Sequence, residues 1–332
     1  MKIYIPYSKT DPENLSGKSL FCFRLASAIR KKGLDVTEDK NKKVDVSINM
    51  IRISHENSRK KILRLNGICH DSQKDYNKKN NPIKHSLKLA DGVVYQSKHS
   101  KKLCDAFLGN TDKPFSIIYN GTESFCSKNI KTPKRLEGKS VAFAFSKWRP
   151  HKRLIDIIKS FLCAKIENGA LVVAGDLSKD VASKNNSLMQ HPDVFYVGKL
   201  SQSEIQSYLQ IAKCTIHLCW FDACPNSVVE SIMSGTPVVS NNVGGTPELV
   251  RLGGGVVCEI DHPYSYTPIN LYHPPKINHS IVAKAINYCM KNKIKTNKAP
   301  FLIDNVADQY IEFITKILKN ENQCSHTSQR KQ

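Results

Sequence analysis

The chain has 332 residues, 40% of them apolar and 24% charged, which is enough length and apolar content for two ordinary domains with a core each and excludes a disordered or fibrous chain. It is strongly basic, with 50 Lys and Arg against 29 Asp and Glu for a formal +21; residues 1–137 alone hold 28 basic and 14 acidic side chains. Such a field attracts polyanions, of which nucleic acid is the weakest candidate because no RNA-recognition, zinc-finger or helix-turn-helix signature accompanies it.

The remaining composition is equally informative. A well-solvated Lys/Asn-rich surface accounts for the charge as readily as peripheral contact with an anionic membrane or an acidic glycan does. No run of about eighteen apolar residues marks a spanning helix, and the opening MKIYIPYSKT is too short and too polar for a secretory signal. Eleven cysteines lie without C-x-x-C pairs or Cys/His zinc spacing, which predicts reduced thiols, several of them buried, in a cytoplasmic chain.

In chain order, Lys2–Tyr7 reads as a strand, Ser8–Gly17 as a loop and Lys18–Lys32 as a helix with Leu20, Phe21, Leu25 and Ile29 on one side, stopped at Gly33. Asp45–Ile51 and Ile62–Leu65 read as strands, and Asn81-Pro82 opens a helix to about Ala90. Val93–Ser97 is a strand, Ser100–Leu108 a helix and Phe115–Tyr119 a strand. Alternating βα units of this kind predict a doubly wound, mainly parallel sheet. Ser16-Gly17-Lys18-Ser19 ends like a phosphate-cradling P-loop, but that motif needs a glycine five residues before Gly17, where Pro12 stands.

Phe125–Lys139 is Lys/Pro-rich, poorly patterned and suited to an interdomain linker. The βα alternation then resumes. Ser140–Ser146, Leu171–Gly175, Val194–Gly198 and Thr215–Leu218 read as strands, Ser203–Ala212 as a helix, and 261–280 as a loop. Ile281–Met290 and Val306–Lys319 read as helices, and 321–332 as a disordered polar tail.

Residues 220–250, WFDACPNSVVESIMSGTPVVSNNVGGTPELV, concentrate the chemistry. Asp222 is followed eight residues later by Glu230, on a helix that Asn226 or Ser227 caps and in which Ser227 and Glu230 fit a capping box. Ser234-Gly235 ends that helix, Pro237–Ser240 is a short strand, and Gly244-Gly245 turn the chain into a helix begun by Thr246, Pro247 and Glu248. Two helix N-termini beside a glycine turn, with carboxylates close by, suit a ligand with one anionic part and one rich in hydroxyls.

This stretch resembles the donor-binding core of retaining glycosyltransferases of the family-four type, also called glycosyl transferases group 1. Two acids separated by seven residues, a small-Gly-Thr-Pro-Val-Val segment and a Gly-Gly-x-Pro-Glu turn carry the likeness, with Asp222 where many relatives have Glu. The resemblance implies the GT-B architecture: two facing Rossmann-like doubly wound α/β domains with a cleft between them. The boundaries expected are an acceptor-side domain over 1–130, a linker over 131–139, a nucleotide-sugar domain over 140–303, a helix over 304–320 crossing back to the first domain, and the tail.

It also implies roles. Asp222 and Glu230 hold hydroxyls of the transferred sugar and of the ribose. In SKWRPHKRL, residues 146–154, Lys147 and Lys152 keep a basic spacing found in relatives, with Arg149 between them, and they neutralise the donor diphosphate. The amides near Asn226, Ser227 and Val228 and at Gly244 and Gly245 share that load, and the loop at Gly175 lines the base site. Gly17 either lets backbone approach the donor phosphates or the acceptor, or is a plain turn with a helix cap. In KILRLNGICHD, residues 61–71, His70 and Asp71 are candidates for the residue delivered toward the sugar. The donor is a UDP- or GDP-sugar, and the acceptor a glycan, a lipid-linked or a protein-linked group. No resident cofactor is implied and no metal is required, since no Asp-x-Asp motif is present. Two other readings share the scaffold: a glycosyl phosphorylase or nucleotide-sugar epimerase, and a non-catalytic binding protein at an anionic surface.

Overall fold

A computed structural model describes residues 1–7, 17–65, 67–124, 133–184 and 186–328. The chain divides into two compact units, residues 1–123 with 301–332 and residues 124–300.

The first unit has strands β1 (Lys2–Tyr4), β2 (Asp35–Thr37), β3 (Val44–Met50), β4 (Ser58–Leu65), β5 (Gly92–Tyr95) and β6 (Phe115–Ile117), with helices α1 (Gly17–Lys31), α2 (Tyr76–Leu89) and α3 (Lys98–Leu108) between them. The sheet order is β2-β1-β3-β4-β5-β6, with every pairing parallel. Parallel strands bury both faces, because each crossover lays a helix on one of them. Ile62 of β4 accordingly joins a core with Phe21 and Leu25 of α1, while its neighbour Leu63 packs with Ile83 and Leu87 of α2 on the opposite side. Phe313, Ile314 and Ile317 of the C-terminal helix α11 (Ile303–Ser328) complete the first of these cores.

The second unit has β7 (Ser140–Phe145), β8 (Gly169–Ala174), β9 (Val194–Tyr196), β10 (Cys214–His217), β11 (Val238–Asn241) and β12 (Gly255–Cys258). Its helices are α4 (Leu154–Cys163), α5 (Lys179–Lys184), α6 (Asn186–Met189), α7 (Gln202–Ile211), α8 (Asn226–Ser234), α9 (Thr246–Gly253) and α10 (His279–Lys291). The order is β12-β11-β10-β7-β8-β9, again parallel throughout. Leu171 and Val173 of β8 face α4 and α10, whereas Ala170 and Val172 face Leu209 of α7.

Four points differ from the sequence reading or add to it. Helix α2 starts at Tyr76 rather than at Pro82, which lies inside it. The Asp75 side chain caps it by accepting from Lys78 N at 2.9 Å. Buried Asn80 bonds both the N–H and the carbonyl of Cys69, at 2.9 and 2.7 Å, so tertiary bonds hold the turn ahead of the proline. Second, Asp35–Thr37 is a strand, although three residues are too few to show a period. Third, the part of the linker that is described is packed: Lys134–Leu136 is a 3₁₀ turn and Leu136 is buried in the second unit. Residues 125–132 and the greater part of the Ser8–Gly17 loop, 8–16, lie outside the described residues. Fourth, the tail expected to be disordered continues α11 to Ser328. No Gly or Pro interrupts 319–328, and a nucleated helix gains one bond per added residue; residues 329–332 lie outside the described ones.

Candidate active site

The order of the second sheet selects one place for a ligand. From β7 the chain winds outward through β8 and β9, then returns to the other side of β7 with β10. Open α/β sheets bind ligands at such a reversal, beyond the carboxyl ends of the two strands. Lys152 follows β7 and Asp222 follows β10, and their side chains meet there, Nζ to Oδ2 at 2.7 Å.

Each loop is built to deliver its residue. After β7 the chain is anchored by Trp148, which is 2% exposed. Its backbone N–H donates to Asp176 O at 2.8 Å and its ring Nε1 donates to Ala174 O at 2.9 Å. Gly175 permits this closeness, since a Cβ there would stand 1.8 Å from Ser146 O and its φ is +112°. The 3₁₀ turn Pro150–Lys152 follows and ends at Arg153, a left-handed residue with φ 56°. Arg153 is buried and makes a two-pronged ion pair with Asp261, at 2.7 and 2.5 Å. Asn241 donates to the same carboxylate at 3.2 Å and to Cys219 O at 3.0 Å, tying this pair to the Asp222 loop.

On the other side Phe221 adopts φ 64°, a costly conformation for a bulky residue. Tyr264 packs on its ring at 4.3 Å. The backbone of Asp222 is held by the glycine turn: Gly245 N–H donates to Asp222 O at 2.7 Å. A Cβ on Gly244 would stand 2.9 Å from that same oxygen.

The electrostatics follow from burial plus pairing. Burial disfavours both charges, but their mutual attraction outweighs it, holding the Asp222 carboxyl below its usual range and the Lys152 ammonium above its own. Beside them His217 is pushed down to about 3 by burial and by the Lys152 charge, and is neutral at ordinary pH. Burial pushes the Cys219 thiol up to about 11, against the pull of Lys152.

The other expected residues fall as follows. Glu230 is buried on α8. The cap of that helix is Pro225, with no side-chain cap bond, so neither Asn226 nor Ser227 caps it and the capping box does not form. Ser227 Oγ instead lies 3.3 Å from His217 Nδ1, drawn off by the neighbouring strand. The N–H of Val228 is taken internally by Pro225 O at 3.2 Å, and Gly245 N–H by Asp222, as above. Thr246 is the first residue of α9, whose cap is Gly245. Lys147 and Arg149 are exposed. In the first unit His70 is buried, with Nδ1 3.3 Å from Ile68 O, and burial lowers its pKa. Asp71 is paired with Lys74 at 2.8 Å, and Gly17 is the first residue of α1.

Sequence reasoning missed Arg153, Asp261, His217 and Cys219. Against the expectation of no metal-ligand spacing, a donor atom each of His217, Cys219 and Asp222 lie within 4.8 Å of one another. The signal was His-x-Cys-x-x-Asp at a strand end, too short to stand out.

Two units, each a six-stranded parallel sheet with helices, have the GT-B fold, and solved structures bear this out. AviGT4, a glycosyltransferase involved in avilamycin A biosynthesis, aligns with a TM-score of 0.62 at 13% identity over 96% of this chain and 98% of its own. HepE of Anabaena in complex with UDP-glucose aligns at 0.60 and 14%, over 98% and 100%. The sucrose-phosphate synthase of Thermosynechococcus elongatus aligns at 0.64 and 12%, over the whole of both chains. Residues 127–266 match the model of the family described as glycosyl transferases group 1. No curated protein sequence matches this chain.

Proposed function

We propose that this protein is a retaining glycosyltransferase that moves a hexosyl group from a nucleotide-diphosphate sugar to a hydroxyl of a glycan, a lipid-linked or a protein-linked acceptor. The observation that carries the reading is the Lys152–Asp222 pair at the sheet reversal, next to the helix that bears Glu230. The family match and the UDP-glucose complex of the similar HepE support a UDP-sugar donor; GDP is the alternative.

Glu230 accepts hydrogen bonds from both ribose hydroxyls, as a carboxylate with two oxygens can. Asp222 does the same for hydroxyls of the transferred sugar. Lys152, held charged by Asp222, reaches the diphosphate as the glycosidic bond breaks, aided by Arg149 or Lys147 and by the N-terminus of α8 at Asn226 and Ser227. Charge neutralisation is thereby assigned to side chains and amides and needs no metal. The acceptor attacks from the face the nucleotide leaves, which retains configuration. His70 and Asp71 are the first unit's candidates on the acceptor side.

Transfer assays with Lys152→Ala and Glu230→Ala test this. Each removes a charge-assisted contact, so transition-state stabilisation falls by about 2–4 kcal/mol, roughly thirtyfold to a thousandfold in rate. Near-normal rates in either variant contradict the assignment. The basic charge of residues 1–137 favours a second reading, a non-catalytic binder at an anionic surface. That reading requires nucleotide binding without turnover, and vesicle binding that disappears above roughly 0.5 M salt.

A further inference from the structure

We infer that the carboxyl end of β10 is a site for a thiophilic divalent cation, with Zn²⁺ its best fit, formed by His217, Cys219 and Asp222, and that a metal there competes with Lys152 for Asp222. His217 ends the strand and Cys219 stands two residues on, so both side chains fall on one side of the extended segment. The left-handed turn at Phe221 folds the chain back and returns Asp222 to the same spot. The three donor atoms lie within 4.8 Å of one another. Tetrahedral Zn²⁺ with bonds of about 2.0–2.3 Å holds its ligands roughly 3.5 Å apart, so closure takes side-chain shifts of about 1 Å.

A second, independent observation points to a ligand. His217 is 5% exposed, and its Nε2 is buried without a hydrogen-bond partner. Its Nδ1 lies 3.3 Å from Ser227 Oγ. With Nδ1–H donating to that hydroxyl, the Nε2 lone pair is available, the usual arrangement behind a metal-bound histidine. A nitrogen, a sulfur and one carboxylate oxygen suit Zn²⁺ and not Mg²⁺ or Ca²⁺. At present the Lys152 ammonium, 2.7 Å from Asp222, is the cation of this cluster. A metal replaces it opposite the carboxylate, Lys152 swings out, the Cys219 thiol gives its proton to the buffer, and a fourth position is left to water. The site stands on geometry alone; that its occupation inhibits transfer rests on the function proposed above.

The test titrates the metal-free full-length protein with Zn²⁺ by calorimetry and with Co²⁺ by absorption. One equivalent should bind, with a thiolate-to-Co²⁺ charge-transfer band. Cys219→Ser should abolish the band, and Ser227→Ala should weaken binding by about tenfold to a hundredfold. Lys152→Ala should tighten it by removing the competing cation. Cys163→Ser, which alters an exposed thiol, should leave it unchanged. Circular dichroism checks that each variant is folded, and the Lys152→Ala gain cannot come from unfolding. Absence of the band, its survival in Cys219→Ser, or its loss in Cys163→Ser overturns the site. Zn²⁺ binding without any response to UDP- or GDP-sugars sinks the transferase reading and leaves the metal site standing; the reverse pattern does the opposite.

Discussion

Lys152 and Asp222 are 70 positions apart in sequence, yet their charged atoms stand 2.7 Å apart. The contact exists because β7 and β10, which precede them, are neighbours in the sheet. A salt bridge this sheltered is sensitive to pH, and the neutral His217 beside it sets the direction.

Unfolded, His217 takes up a proton near pH 6.5; folded, burial and the Lys152 charge delay this to about 3. The folded state thus binds fewer protons, and stability falls as pH drops from about 6.5 toward 3. Asp222 acts in the same direction: its contribution is present above its ordinary 3.8 and is lost as pH falls through its lowered folded value. Lys152 contributes fully below its ordinary 10.5 and loses that only as pH rises through its raised value. Urea denaturation at a series of pH values should show a slope over the acid window that flattens in His217→Gln. An unchanged slope contradicts the buried neutral histidine.

Asp261 is the only carboxylate recorded in an ion pair with buried Arg153 among the described residues. Asp261→Ala leaves a cation inside the protein and should cost about 3–5 kcal/mol of stability, read as a lower urea midpoint. A loss below about 1 kcal/mol would mean water reaches the guanidinium and the pair contributes no more than an exposed one.

Gly244→Ala probes the turn that holds Asp222. The added Cβ meets Asp222 O at 2.9 Å in a backbone at φ +80°, a conformation that costs an L-residue about 1–2 kcal/mol. The turn and the acid must shift together, so transfer should fall further than thermal stability does. Equal transfer by the variant shows that Asp222 tolerates displacement.

Much of this was legible in the sequence, and the exceptions have a common cause. The buried run of β8, GALVVA, and the motif from Asp222 to Glu248 show in local spacing, because burial on both faces and turn chemistry are local demands. Pro82 inside α2 was misread because the bonds from Asn80 to Cys69 that hold that turn span 11 positions. Ser227 was misread as a cap because its partner, His217, lies on a strand that sequence does not place beside α8. Arg153 and Asp261, 108 positions apart, carry no pattern at all: only the order of strands brings them together.

Glu230, together with Lys152 and Asp222, is proposed to form a nucleotide-sugar site. The most direct measurement is a thermal-shift series with UDP, GDP and their sugar conjugates on the native protein and on Glu230→Ala. The account predicts a stabilising shift with one nucleotide series, and with its diphosphate sugar, that disappears in the variant. A shift that survives Glu230→Ala, or none with either nucleotide, contradicts it.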